Sequence, residues 1–177
     1  LAAIVATTPT SGILGGIDRA VDTFWQNKAD TATGAWGSGT NLYGRKDTDE
    51  MFTNIRVGRT MPDLYLLSKE AFRGLKAELE TVERGNADYK EKKSWGLIDI
   101  SINGMDGVYD EVCTSGYAYM LNTDYLQLTV HSQYNFKPIP AQRPDDQAAF
   151  VQHIRVGLQL TTDRPSSHGV ISGITVA

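Results

Sequence analysis

The chain has 177 residues, 41% of them hydrophobic and 21% charged, with a formal net charge of −4. This composition belongs to a globular protein with a real core and excludes a disordered tail. No basic block exceeds "KEKK" at Lys90 to Lys93, which argues against a broad basic face for nucleic acid, and the single cysteine, Cys113, cannot close an internal disulfide.

No run approaches the roughly 18 apolar residues of a membrane span. The opening "LAAIVATTPTSGILGG" has no basic leader and is broken by Pro9, Gly12, Gly15 and Gly16, so it makes a poor signal peptide. It starts at Leu1 and reads as the interior of something longer, hence the expectation of a fragment with an N-terminal portion missing. The lone thiol fits a reducing compartment or an assembly indifferent to thiols.

In chain order, "TATGAWGSGTNLYGR" has four glycines and no sustained period, and is a loop by composition. Its Trp36, like Phe24 and Trp25 before it, implies packing against something. "DTDEMFTNIRV" spaces Met51, Phe52 and Ile55 as a short helix, with Asp47 or Thr48 as its N-cap. "MPDLYLLS" supplies four consecutive apolar residues, Leu64 to Leu67, expected as a strand buried on both faces. Ser68 then caps "KEAFRGLKAELETV", where Phe72, Leu75, Leu79 and Val82 line one face and Lys69, Arg73, Lys76 and Glu80 the other. "ERGNADYKEKKS" is a polar loop.

From Trp95 the period becomes two. Ile98, Ile100 and Ile102 alternate with polar residues, and "NGMDG" turns the chain into "VYDEVC". In "YMLNTDYLQL" the apolar runs Tyr117 to Leu121 and Tyr125 to Val130 flank Asn122, Thr123 and Asp124, which predicts a tight reversal. After the proline-studded "KPIPAQRPDD", residues Phe150 to Thr161 alternate, with Ile154, Val156, Leu158 and Leu160 on one side. "DRPSSHG" is expected to reverse this strand into Val170 to Val176, giving a long two-faced terminal hairpin. The fold class expected is α+β.

Little chemistry can be assembled. "GILGG" lacks the lysine and hydroxyl residue of a phosphate loop. His131 and His153 fall on the polar side of predicted strands and His168 in a turn. None has metal-ligand spacing, so all three read as solvated or interface imidazoles. Cys113 follows "VYDE", and a nucleophile beside Asp110 or Glu111 can be drawn. Such chemistry also needs a placed base and an oxyanion site, and a small buried hydrophobe is the plainer reading. The acids Asp47 to Glu50 and the pair Asp145 and Asp146 could hold a cation, but capping and turn formation account for them more simply. Tyr117, Tyr119 and Tyr125 lack the interleaved basic residues of a base-stacking platform. No catalytic, cofactor or metal residue is therefore assigned.

The order of four segments carries a resemblance: "DLYLLSKEAFRGLKAEL", "GVYDEVC", "GYAYMLNTDYLQLTVHSQYNF" and "FVQHIRVGLQLTTDRPSSHGVISGI", preceded by "GGIDRAVDTFWQNK". Together they resemble the C-terminal portion of tailed-bacteriophage major capsid proteins with the Hong-Kong-97-type shell fold. That resemblance implies a non-enzymatic coat subunit of the virion, assembled in the bacterial cytoplasm. Its partners would be copies of itself in hexamers and pentamers, a scaffolding protein, and packaged double-stranded DNA held without sequence-specific contact, with no membrane and no cofactor. It further implies a glycine-rich lead-in at 1–46, an axial domain at 47–140 and peripheral-domain strands at 141–177. The family's spine helix and extended loop are not found and would lie upstream of Leu1. Alternatives are a hydrolase-like α/β enzyme using Cys113 or a histidine, a phage tail or connector component, and a nanocompartment shell. Two expectations follow from the shell reading. The stretch Gly34 to Gly44 should be loosely packed, and Leu158→Asp should prevent folding by charging an apolar face.

Overall fold

The structure, a computed structural model, describes residues 4–83, 100–143 and 150–177. The loop expected at 83–94, the first residue of the Ile98 alternation and the Asp145–Asp146 pair lie wholly or largely outside the described residues. Contacts divide the chain into two units, one formed by Leu1–Tyr125 with Arg164–Ala177, the other by Leu126–Asp163.

In chain order the first unit contains β1 (Ile13–Leu14), β2 (Ile17–Asp18), β3 (Lys28–Thr31), α1 (Tyr43–Ile55), β4 (Leu64–Leu67) and α2 (Lys69–Glu83). It continues with β5 (Ile100–Ile102), β6 (Met105–Tyr109) and β7 (Ala118–Leu121). The second unit supplies β8 (Leu126–Val130), β9 (Lys137–Pro138), β10 (Ile154–Arg155) and β11 (Leu158–Thr162), and the chain returns to the first unit with β12 (Gly169–Ser172).

The first unit is built on a six-stranded mixed sheet in the order β3-β12-β7-β4-β6-β5. β4 is central, paired with β7 antiparallel and β6 parallel, as its unbroken apolar run requires. Its burial nevertheless alternates, with Tyr65 and Leu67 buried and Leu64 and Leu66 half-buried. By register Tyr65 and Leu67 share a face with Ala118, Met120 and Ile171, and these side chains cluster with Met51 and Ile55 of α1 and Ala71 and Leu75 of α2. Both helices therefore cover one face of the sheet. On the opposite face Tyr119, Leu121 and Val170 are also buried, as are Ile4 and Val5 of the N-terminal segment.

Local chemistry explains several elements. β5 and β6 are joined by Asn103 and Gly104, both at positive φ (53° and 81°), the two-residue turn that an Asn-Gly pair favours, so the strand resumes at Met105 earlier than expected. Ser68 caps α2, its Oγ accepting from the Ala71 N–H at 3.4 Å. The start of α1 differs from expectation. It begins at Tyr43 after Leu42 in the left-handed region, and Asp47 and Thr48 are buried residues inside the helix rather than its caps.

Two expected pairings do not form. β7 and β8 are not a hairpin: β7 lies between β12 and β4, while β8 pairs with β11 in the second unit. Asn122 to Asp124 thus mark a crossing between units. The terminal hairpin is also replaced, because β11 pairs with β8 and β12 enters the six-stranded sheet beside β3 and β7. Alternation marked where β7, β8, β11 and β12 lie, but the strand expected over Phe150 to Thr161 is two strands in different ribbons, β10 and β11, and the one expected over Val170 to Val176 ends at Ser172. A period of two also carries no information about which strand is the partner.

The second unit consists of two antiparallel ribbons, β8–β11 and β9–β10. In the first, Leu158 opposes Val130 and Leu160 opposes Leu128 on one face, while Thr129 and Gln127 oppose Gln159 and Thr161 on the other. The polar face is laced by Thr129 Oγ1 and Thr161 Oγ1 at 3.2 Å and by Thr161 Oγ1 donating to the Gln127 carbonyl. None of this unit's described residues is buried. Leu158 is 47% exposed, so an aspartate there enters no core of this chain and the expected folding failure is withdrawn.

Candidate functional site

A dense polar cluster lies under the glycine-rich stretch. Glu78, on the apolar arc of α2 with Ala71 and Leu75, is buried. Its Oε1 accepts from the N–H groups of Gly37 (2.9 Å) and Gly44 (3.0 Å), and its Oε2 from that of Arg45 (2.9 Å). The carboxylate thus caps α1 from a neighbouring helix, meeting the free donors and the positive end of the helix dipole. Asp47 accepts from the Trp36 indole N–H at 2.9 Å and from the Thr33 N–H and Oγ1. Thr48 Oγ1 donates to the Gly44 carbonyl and meets the Tyr65 hydroxyl at 3.1 Å. Burial raises the Tyr65 phenol well above its usual range, so it remains protonated.

This cluster corrects two expectations. Trp36 is 0% exposed and packed against both helices, so Gly34 to Gly44 is anchored at Trp36 and at the buried Gly44 rather than loosely packed throughout, while Gly39 to Asn41 are exposed. The acids from Asp47 are not a cation site either, since Asp47 is engaged by Trp36 and Thr33 and Asp49 faces Arg45 and Asn103. Glu78 was missed in the sequence. Its signal was an acid at helical spacing from Ala71 and Leu75, inside an apolar stripe.

A second cluster stands where the chain leaves the first unit. His168 is 0% exposed, not solvated, and its Nδ1 accepts from the Asn122 N–H at 3.2 Å. Burial lowers its pKa to about 4, with the Asp63 charge pulling the other way. Asp63 accepts from the Thr123 N–H at 2.7 Å and from its hydroxyl, and Asn122 Nδ2 donates to the Met61 carbonyl. The Arg164 guanidinium lies 5.6 Å over the Tyr125 ring, joining the last residue before the second unit to the first one after it.

Cys113 is half-buried, its Sγ 3.8 Å from the carbonyls of Thr114 and Tyr117. Burial, then the charges of Asp110 and Glu70, push its thiol up to about 11, the opposite of what activates a nucleophile. His131 and His153 belong to the second unit. His131 Nδ1 accepts from the Gln133 N–H and its ring lies 4.6 Å from that of Tyr134. That unit also holds a cavity of about 230 Å³ lined by Gln133, Tyr134, Lys137, Pro138, Ile139, Pro140 and Arg155, with no acid, thiol or imidazole in its wall. Among the described residues no group of three or more His, Cys, Asp or Glu could hold a metal ion, and no helix is long and apolar enough to cross a membrane.

Among the described residues the second unit carries a ribbon whose apolar face is exposed, and the first unit has a core of its own. Two helices on one face of a six-stranded mixed sheet, with separate β-ribbons, define an α+β protein whose neighbours can be sought by shape. No protein-family model and no curated protein sequence matches the chain. A solved chain of the cyanophage A-1(L) capsid asymmetric unit does match, with a TM-score of 0.64 and 20% identity over 99% of this chain. This chain spans 58% of the length of that one. The fold is that of a phage capsid chain.

Proposed function

We propose that the chain is part of a structural subunit of a tailed-phage or prophage capsid of the Hong-Kong-97 type, without enzymatic activity. It assembles in the bacterial cytoplasm, with copies of itself, into hexamers and pentamers of an icosahedral virion shell. Double-stranded DNA is enclosed without sequence-specific contact, and a scaffolding protein is an expected further partner. The observation that carries this reading is the match to a phage capsid chain along nearly the whole length. The chemistry of the side chains supports it. The Cys113 thiol is held protonated, and the His168 imidazole is spent on a backbone N–H.

In this reading the axial domain comprises 47–140 and the peripheral strands fall within 141–177. β12 is the strand of the latter part that shares the sheet of the former. Electron microscopy of the whole gene product expressed in bacteria tests the proposal. Closed shells of uniform size are expected. A product that stays monomeric, or that forms open tubes, would remove the capsid reading.

A further inference from the structure

Of the chain's asparagines only Asn103 precedes a glycine. The pair forms the β5–β6 turn at the surface of the first unit. Both residues are exposed, Asn103 stands at φ 53° and Gly104 at 81°, and a Cβ on Gly104 would meet nothing within 4 Å. Among the described residues the Gly104 N–H donates no hydrogen bond. An unhindered and unengaged backbone nitrogen directly after an asparagine can attack that side chain, which is one source of the thermal lability of asparagine.

The carboxamide is restrained, however. Its Nδ2 donates to Asp49 Oδ1 at 2.7 Å, a charge-assisted bond to a residue 54 positions away, and Arg45 stands 4.0 Å from the other Asp49 oxygen. Attack requires the side chain to leave Asp49 and fold back over its own backbone. An acceptor on Nδ2 also feeds electron density into the amide and makes Cγ a poorer electrophile.

We propose that Asn103 is a site of spontaneous, one-way modification, deamidation through a succinimide, and that Asp49 controls its rate. The Gly104 nitrogen bonds to Asn103 Cγ and gives up its proton, the Cγ–Nδ2 bond breaks, and ammonia leaves with that proton. Water then opens the ring at either carbonyl and leaves aspartate or isoaspartate at this position. Neither product donates to Asp49. Each sets a second carboxylate against the first, and isoaspartate also adds a methylene to the main chain of a two-residue turn. The tie between the β5–β6 turn and α1 is thereby cut without an enzyme. Nothing in this step depends on the chain being a coat subunit.

The test is peptide mapping of the folded 177-residue chain aged at mildly alkaline pH, with isoaspartate detected by enzymatic methylation. Conversion should appear at Asn103 ahead of every other asparagine. Asp49→Ala should speed it about tenfold, the rate equivalent of one hydrogen bond to a charged group, and Asp49→Asn, which keeps an acceptor, should speed it less. Ile171→Val trims a buried side chain on β12 and should leave the rate at its wild-type value. An Asn103 that outlasts the other asparagines would overturn the inference, as would equal rates in the wild type and Asp49→Ala. Equal acceleration by Ile171→Val would overturn the control by Asp49, since the protection would then belong to folding as a whole. Urea unfolding reads the effect of the product. Asn103→Asp should destabilise the wild type more than it destabilises Asp49→Ala, and equal losses would overturn the severed tie.

Discussion

Glu78 satisfies three backbone donors of the segment that opens α1, a helix whose own N-cap residue, Leu42, offers no side-chain acceptor. Glu78→Ala strands those donors in a buried place, and a buried unsatisfied group costs about 1–3 kcal/mol. A loss of about 3 kcal/mol in urea unfolding is expected, with a smaller loss for Glu78→Gln, which keeps one acceptor oxygen. His168 is the other residue with a measurable signature. Its imidazole takes a proton near 6.5 when unfolded and near 4 when folded. Between those values the unfolded state binds more protons, so stability falls as pH drops from about 6.5 to about 4 and levels off below. Protonation also removes the lone pair that accepts the Asn122 N–H. The same titration on His168→Gln should lack this component, and equal slopes for the two proteins would disprove it.

At the scale of elements, the contact between α2 and the Trp36 loop depends on a missing side chain. A Cβ on Gly74 would stand 2.7 Å from the Trp36 Cβ and 3.2 Å from its carbonyl carbon. Both atoms are held by the backbone and cannot swing away. Helix propensity alone would make Gly74→Ala stabilising by about 1 kcal/mol. The expected outcome has the opposite sign, a destabilisation of about 1–3 kcal/mol, because the alanine overpacks a closed contact. Unfolding of the single variant, compared with an alanine at an exposed position of the same helix, decides between the two signs. The crossing at Asn122 to Tyr125 is equally dependent on distant groups, since Asp63, Met61, His168 and Arg164 hold it in place of a strand partner.

At the scale of the whole molecule, stability is distributed unevenly. The first unit holds every buried hydrophobic side chain among the described residues, and the second holds none. Backbone hydrogen bonds that lack an apolar cover open at low cost. Hydrogen exchange of the dissociated chain should therefore be fast at Leu126–Val130 and Leu158–Thr162, and slower by orders of magnitude at Leu64–Leu67 and Ala118–Leu121. Uniform protection across all four strands would contradict this division.

Much of the local structure was legible in the residues themselves. The run Leu64 to Leu67, the stripe of α2 with its Ser68 cap, the Asn103–Gly104 turn and the alternation of β11 follow from period, capping and turn chemistry, which act between near neighbours in the chain. The residues did not show that β12 leaves β11 for the sheet of β7, that Glu78 caps a helix starting more than thirty positions earlier, or that a histidine written among turn residues is fully buried. Those facts depend on which groups the folded chain brings together. Pairing partners, burial and hydrogen-bond acceptors are set by distances across the fold, and a linear pattern of polar and apolar residues does not contain them.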